Sequence, residues 1–572
     1  METVKHQVEF CVVGGGLAGM CAAIAAARRG VKTLLMHERP VLGGNASSEI
    51  RMWVCGAAGC PESGLVEEIL LENLYRNSYP SYAVWDSVLY EKVRFQPNLT
   101  LLLNCSCLAA EMAGSRIRSI KGWQCTTQQF HQVEAQLFAD CSGDSILAPL
   151  TGAECRFGRE SRAEFGEDIE PKEADHRTMG MSCLLQARET DRPQPFVAPE
   201  WAYVYETDEA IGRDHALGFY QNFWYLELGG DGDSIADTEM VRDELLKIAY
   251  GIWDHIKNRG DHEADNWVLE WVGFLPGKRE SRRYVGDYIL TQRDLERGDG
   301  FDDVVAFGGW PMDNHPPAGF YHRGEPNVNH PVHSPYQIPF RSLYSRNIDN
   351  LLFAGRNISV SHAALTSTRV MATCALLGQA VGTAAAIAVP GGLLPREVYQ
   401  REIGRLQQML LLDDCYLPGR KREADKMTQQ AVLTASAGAP EKLRDGEERD
   451  RGHAWFAGAG DWAEYTFAGP RSGRVRVVFD SDLARQPRLN MVASFPLDVP
   501  HYAVPETLVK SFTLYGCRPD GVWFVLFQAA DNRRRLVKID LPEPVVGVRL
   551  VIGETRRELP VGIFSFEVIE EP

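Results

Sequence analysis

Phe10-Cys11-Val12-Val13-Gly14-Gly15-Gly16-Leu17-Ala18-Gly19-Met20 is the stretch that decides the fold. Val8 to Val13 reads as a short apolar strand. The glycines at 14, 16 and 19 fit G-x-G-x-x-G, and a run of small residues, Met20 to Arg29, reads as a helix that Gly30 closes as a C-cap. A second apolar strand, Lys32 to Met36, leads to Glu38. Each part has a physical task. Gly14 permits the tight turn out of the strand, Gly16 leaves room for a pyrophosphate to reach backbone N–H groups, and Gly19 lets helix and strand pack closely. The helix N-terminus then faces the phosphates with its partial positive charge. Glu38, 19 residues past Gly19, is placed to accept ribose hydroxyls.

Working outward, Glu38-Arg39-Pro40 is followed by Leu42-Gly43-Gly44-Asn45-Ala46-Ser47-Ser48. A glycine pair just past the acidic residue resembles FAD-binding folds, in which the backbone passes close to the dinucleotide. Leu17, Ala18, Arg39, Gly43, Gly44, Asn45, Ser47 and Ser48 therefore join the expected cofactor site. Much later, Leu351-Leu352-Phe353-Ala354 runs as an apolar strand into Gly355-Arg356-Asn357. His362 follows, then one long small-residue helix through Arg369, Gly378, Gln379, Gly382 and Ala388. In flavin folds of the glutathione-reductase type, such a helix aims its N-terminus at the flavin and stabilises charge on the reduced ring.

Four stretches together carry a family resemblance: Gly14 to Ser48, Ala139-Asp140-Cys141-Ser142-Gly143-Asp144, Lys278-Arg279-Glu280-Ser281-Arg282-Arg283, and Tyr336 to Ala388. They resemble the FAD-dependent oxidoreductases of bacterial carbohydrate-utilisation gene clusters and, more distantly, the flavoprotein subunits of fumarate reductase and succinate dehydrogenase. The resemblance implies FAD as cofactor and places Gly143, Asp144, Gly355, Arg356 and Asn357 near it. It also implies a site role for Arg279 and Arg282, whose guanidiniums can bind carboxylates or hydroxyls bidentately. His362 is the expected catalytic base, taking a hydroxyl proton as hydride leaves for the flavin. Gly229-Gly230-Asp231-Gly232 lacks a flanking strand and acid, so a separate nicotinamide domain is not expected. That leaves oxygen, a quinone, a carrier protein or a second substrate as electron acceptor.

The fold class that follows is α/β: a Rossmann-type FAD-binding domain (1–153 and 342–426), an inserted α+β substrate or cap domain (154–341), and a C-terminal all-β sandwich (427–572). The insert is dense in aromatics. Trp201, Tyr203 and Tyr205 alternate as on one face of a strand, and Phe219, Tyr220, Phe223, Trp224 and Tyr225 follow. His315, His322, His330 and His333 lie among prolines and glycines, with no helical H-x-x-x-H, so irregular chain near the mouth of the site is expected and no metal. Arg420 to Lys426 reads as a charged linker. Beyond Gln430 come short alternating segments separated by turns, among them Arg474–Asp480, Leu536–Leu541 and Ile563–Val568, loosely resembling galactose-binding-like modules.

Bulk properties agree. A net charge of −17 argues against nucleic-acid or anionic-membrane partners. The most apolar stretch, Ala372 to Val389, contains Gln379 and Thr383 and reads as a buried helix, not a membrane span. Thirteen unpatterned cysteines without a visible export signal suggest a cytoplasmic protein. The expected activity is oxidation of a secondary alcohol of a sugar, glycoside or sugar acid by hydride transfer to FAD. Two alternatives stay open: reduction of an activated C=C or C=O, as in fumarate reductases, and a flavin-bound binding or assembly protein. A homo-oligomer is compatible with either.

Overall fold

The computed structural model describes residues 2–570 except 220, 487, 489, 490 and 492, so Tyr220 lies outside the described residues. The strands Phe10–Val13 and Thr33–Met36 pair in parallel, joined by the helix Leu17–Arg28. Leu137–Asp140, Leu351–Phe353 and Leu99–Leu102 complete a five-stranded parallel sheet. All four residues of Phe10–Val13 and of Leu137–Asp140 are buried, as a sheet covered on both faces requires. A second sheet is built from Thr3–Gln7 and from Gln129–Glu134, Arg116–Gln124 and Cys105–Ala113, the last three supplying the crossover before Leu137.

The helices Leu17–Arg28 and Met371–Gly391 pack unusually closely, and the sequence explains it. A Cβ at Gly378 would overlap the carbonyl of Ala18, and one at Gly382 that of Ala22. Glycines four apart on one helix thus receive alanines four apart on the other. Met371–Gly391 has the length and hydropathy to cross a membrane, yet 94% of its apolar window is buried inside the protein. It is a core helix.

Contacts divide the chain into two compact units. The first comprises Met1–Cys60, Tyr79–Leu406 and Asn490–His501; the second comprises Pro61–Ser78, Gln407–Leu489 and Tyr502–Pro572. This departs from the expected boundaries in two places. The helix Leu65–Arg76, expected in the FAD domain, belongs to the second unit, where buried Glu67 pairs with Arg485 (2.7 Å) and Arg488 (2.8 Å). Burial alone would raise the Glu67 pKa, but the two guanidiniums outweigh it and hold it at about 2. Conversely, a short piece of the tail belongs to the first unit, where Phe495 N–H donates to Ala187 O and its carbonyl accepts from Glu189.

The second unit is a sandwich of two antiparallel sheets, of five and four strands, closed on one apolar core that includes Trp455, Tyr465, Val477, Leu514 and Phe566. Its strands Arg474–Phe479, Leu536–Asp540 and Val561–Ile569 match the alternating segments. The charged linker is a misreading: Arg422 is buried and pairs with Glu448 (2.9 Å) and Glu567 (2.6 Å). The insert also departs from its pattern. Trp201, Tyr203 and Tyr205 form no strand; they run irregularly along the helix Thr238–Asn258, Trp201 edge-on to Tyr250 and Tyr203 N–H donating to Lys247 O.

Candidate functional site

A cavity of about 380 Å³ opens in the first unit against the glycine-rich turn. Gly14, Gly16, Leu17 and Ala18 line it, with Arg39, Gly43, Gly44 and Asn45 from the second glycine segment. Gly143, Gly355 and Arg356 line it from the ends of the Leu137–Asp140 and Leu351–Phe353 strands. Folding thus brings together the scattered cofactor motifs at the carboxyl ends of a parallel sheet. Gly14 has φ +105°, and a Cβ there would overlap the backbone of Cys141; a Cβ at Gly19 would overlap the Gly14 carbonyl. Gly16 faces open space instead, its virtual Cβ meeting only Gly44 Cα at 3.9 Å. That is the position where backbone must be reachable.

The remaining expected cofactor residues, Gly19, Glu38, Ser47, Ser48, Asp144 and Asn357, do not line it. Gly19 packs helix on strand. Ser47 Oγ donates to Gly44 O (2.7 Å), and Ser48 N–H donates to Asp86 (3.1 Å), so both shape the glycine loop. Glu38 is exposed just past the Thr33–Met36 strand. Asp144 clamps Arg356 (2.7 Å) and Lys278 (2.9 Å); although burial would raise its pKa, these cations hold it at about 2. Asn357 is fully buried beside Asp140. His37, which the motif reading passed over, accepts the Gly15 N–H at Nδ1 (3.0 Å). Burial and Arg39 push its pKa down to about 3, so it stays a neutral prop for the turn.

These residues fit FAD. Arg39 Nε and Arg356 Nε are buried donors with no hydrogen-bond partner, and both side chains line the cavity. Unpaired buried donors are costly, and two cationic ones beside bare glycine backbone suit an anionic dinucleotide.

The expected single helix after His362 is two. His362–Thr368 ends at Arg369, Val370 turns extended (φ −66°, ψ 144°), and Met371–Gly391 begins afresh. Thr366 Oγ1 bonds backward to Ala363 O, and such side-chain competition with the helix backbone favours a helix end; Ser367 Oγ instead donates to Trp310 O outside the helix. The break moves the helix N-terminus that meets the cavity from His362 to Met371. Arg369, Val370, Met371 and Cys374 line the cavity; His362 does not.

His362 lies elsewhere in the first unit, 2% exposed. Its Nδ1 faces Glu280 (3.0 Å), and its N–H donates to Glu160 (2.8 Å). Glu280 in turn pairs with fully buried Arg283, which also binds Glu160 (2.7 Å). Burial would lower the His362 pKa, but Glu280 raises it above the ordinary histidine value. Nearby Glu170, with both carboxyl oxygens buried, is pushed up to about 7.

The cavity wall also carries a different constellation, of which the sequence singled out Arg279 as a site residue and placed the His315 loop near the mouth without giving His315 a role. His315 Nδ1 faces Glu227 (2.7 Å) and Nε2 faces Asp313 (3.2 Å). Arg279 pairs with Glu227 (3.3 Å), and Arg369 with Asp313 (3.0 Å), which also accepts from Asn327 (2.6 Å). Despite burial, Arg279 and His315 hold Glu227 below the usual carboxylate range; His315 and Arg369 hold Asp313 well below it. Burial lowers the Arg279 pKa. Asn222, Trp224 and Trp310 complete this wall, and Trp310 Nε1 and Arg369 Nε are buried without partners. Arg282 does not line the cavity; its guanidinium reaches Asp144 O (3.4 Å).

A nucleotide-binding sheet, a glycine-walled cavity and a helix N-terminus directed at it define a flavin-dependent class of enzyme. The chain belongs to the FAD-dependent oxidoreductase family, whose model matches residues 9–410, and it uses FAD. No curated protein matches it. Among solved structures, a geranylgeranyl bacteriochlorophyll reductase-like protein from Thermoplasma acidophilum is 11% identical, covering 72% of this chain and 86% of its own, at a TM-score of 0.32. A family 32 carbohydrate-binding module from Streptococcus pneumoniae EndoD is 14% identical over 25% of this chain and 96% of its own, at a TM-score of 0.20.

Proposed function

We propose that the protein oxidises a secondary alcohol of a sugar, glycoside or sugar acid, with His315 as the base. FAD, when bound, supplies the hydride acceptor. The observation that carries this reading is His315 between two carboxylates on the cavity wall. Glu227 favours the tautomer with the proton on Nδ1, so proton exchange with a substrate hydroxyl falls to Nε2, the nitrogen that faces Asp313. Once protonated, the imidazolium donates to both Glu227 and Asp313, and the charge it gains is offset where it forms. Asp313 keeps Arg369 and Asn327 as partners throughout, so it need not leave its place. Trp224 and Trp310 line the cavity, and aromatic rings there can pack against sugar C–H surfaces, while Arg369 Nε and Trp310 Nε1 suit an oxygen-rich substrate. An arginine partner would favour a carboxylate, hence a sugar acid.

The alternative, reduction of an activated C=C or C=O, has one observation in its favour: Arg279 lines the cavity wall, where a guanidinium can stand beside the substrate as proton donor. Anaerobic titration of the yellow protein with sugars, glycosides and sugar acids separates the two. Bleaching of the flavin band by one class supports alcohol oxidation. No bleaching by any of them, with reoxidation of dithionite-reduced protein by enoates or ketones, overturns it in favour of reduction.

A further inference from the structure

Four side chains gather in the first unit, none of them lining the FAD cavity. Asp208 starts the short helix Asp208–Ile211, His215 follows in the next loop, His255 sits near the end of the helix Thr238–Asn258, and His262 lies just beyond it. One ligand atom from each lies within 4.8 Å of all the others. His255 Nε2 is 2.8 Å from Asp208 Oδ1 and 3.0 Å from His262 Nε2. His215 Nε2 and His262 Nε2 stand 3.6 and 3.7 Å from the same Oδ1. Ligands at about 2.0–2.1 Å from a tetrahedral zinc ion are separated by roughly 3.3 Å, and these distances bracket that edge.

The outer contacts point the same way. His255 Nδ1 lies 2.8 Å from Tyr205 O, and His215 Nδ1 lies 2.7 Å from Arg213 O. A carbonyl can only accept, so both rings carry their proton on Nδ1. In the neutral rings, Nε2 is then a lone pair turned inward. Two such lone pairs converge with a carboxylate and a third imidazole nitrogen, an arrangement that repels itself unless a cation or added protons occupy the centre. Backbone carbonyls that orient metal-bound histidines in this way are the usual outer shell of a zinc site. His215 and His255 side chains are 8% and 1% exposed, whereas Asp208 is 66% exposed and gives the ion a way in. No metal is expected from the His315–His333 loop, which lacks a helical H-x-x-x-H; the ligands here lie outside that loop and come in pairs seven residues apart, at 208 and 215 and at 255 and 262.

We propose that Asp208, His215, His255 and His262 bind a zinc ion in a closed tetrahedral site. The ion would staple the 205–215 segment to the end of the Thr238–Asn258 helix. With all four positions taken by protein, its role is structural, and part of its binding free energy is folding free energy of the cap.

The test uses tag-free, FAD-loaded full-length protein, stripped with a chelator, dialysed against zinc and desalted. Elemental analysis should find zinc equimolar with chain. Cobalt(II) in its place should show intense ligand-field bands to the red of the flavin absorption, as tetrahedral coordination requires. Asp208→Asn and His262→Gln, both on the more exposed side, should each lower zinc retention at least tenfold while the flavin-to-protein absorbance ratio, which reports folding, stays as in the wild type. Zinc far below equimolar in wild-type protein that retains its flavin would overturn the proposal and assign the cluster to histidines protonated against Asp208. Equal zinc retention in the wild type and a combined Asp208→Asn/His262→Gln variant would overturn it as well.

Discussion

Two buried histidines in the first unit have nearly the same neighbours and different surroundings. His362 faces Glu280, which pairs with Arg283; His315 faces Glu227, which pairs with Arg279. Both carboxylate–arginine pairs draw on one short segment, Arg279 to Arg283. Glu280 and Arg283 turn into closed protein, where Arg283 is fully buried against Glu160, while Arg279 turns to the cavity wall. A histidine held by a carboxylate is therefore no sign of catalysis by itself. What separates the two is access: His315 lines the cavity and His362 does not.

That contrast can be broken by mutation, beginning with the greatest effect. His315→Gln should lower turnover by roughly 10²- to 10⁴-fold, the usual worth of a general base. The flavin spectrum should be unchanged, since His315 lies outside the glycine segments that line the cavity. Rapid-reaction flavin reduction is the measurement, and wild-type rates in this variant would return the base to another group. His362→Gln should do the opposite. Losing a charge-assisted hydrogen bond to Glu280 should cost about 2 kcal/mol of stability, read by denaturant unfolding, with turnover near that of the wild type. A large drop in turnover with intact stability would erase the distinction between the two sites.

A smaller effect tests the cavity wall. Arg369→Lys keeps the charge beside Asp313 but loses the planar fork, and should raise KM about tenfold, or ~1.4 kcal/mol, with little change in kcat. A kcat effect without a KM effect would move Arg369 from substrate binding to chemistry. The finest test is pH. Folding raises the His362 pKa above its ordinary 6.5, so its contribution to stability is fully present below 6.5 and is lost as pH rises through the folded value. The stability gap between wild type and His362→Gln should therefore be widest in mild acid and narrow in alkali. A gap independent of pH would mean that His362 is not charged in the folded protein.

Much of the cofactor site was legible because its motifs are local. Strand, glycines, small-residue helix and second strand follow one another along residues 8–36, and the steric demands at Gly14 and Gly19 are met by neighbours in that same unit and in the paired strand. Gly43, Gly44, Gly355 and Arg356 were legible for the same reason: each follows an apolar strand or an acidic strand end. The wall around His315 was not. Glu227, the Asp313 and His315 pair, and Arg369 come from three stretches far apart in the chain, and Arg369 was hidden inside what read as a continuous helix. Aromatic alternation at Trp201, Tyr203 and Tyr205 misled because side chains lying along a helix can alternate without any strand partner.

The sequence by itself thus determined a dinucleotide fold and a late all-β region, since periodicity and glycine spacing act over a few residues, while the flavin followed from the family resemblance. Only the tertiary structure decided which histidine meets the cavity and which buried charges close on each other, with Arg422 locked into the sandwich and Glu67 drawing its helix into the second unit. The physical reason is that burial and electrostatic pairing depend on distance in space, and the same Arg-Glu-x-x-Arg segment serves both a closed core and an open wall.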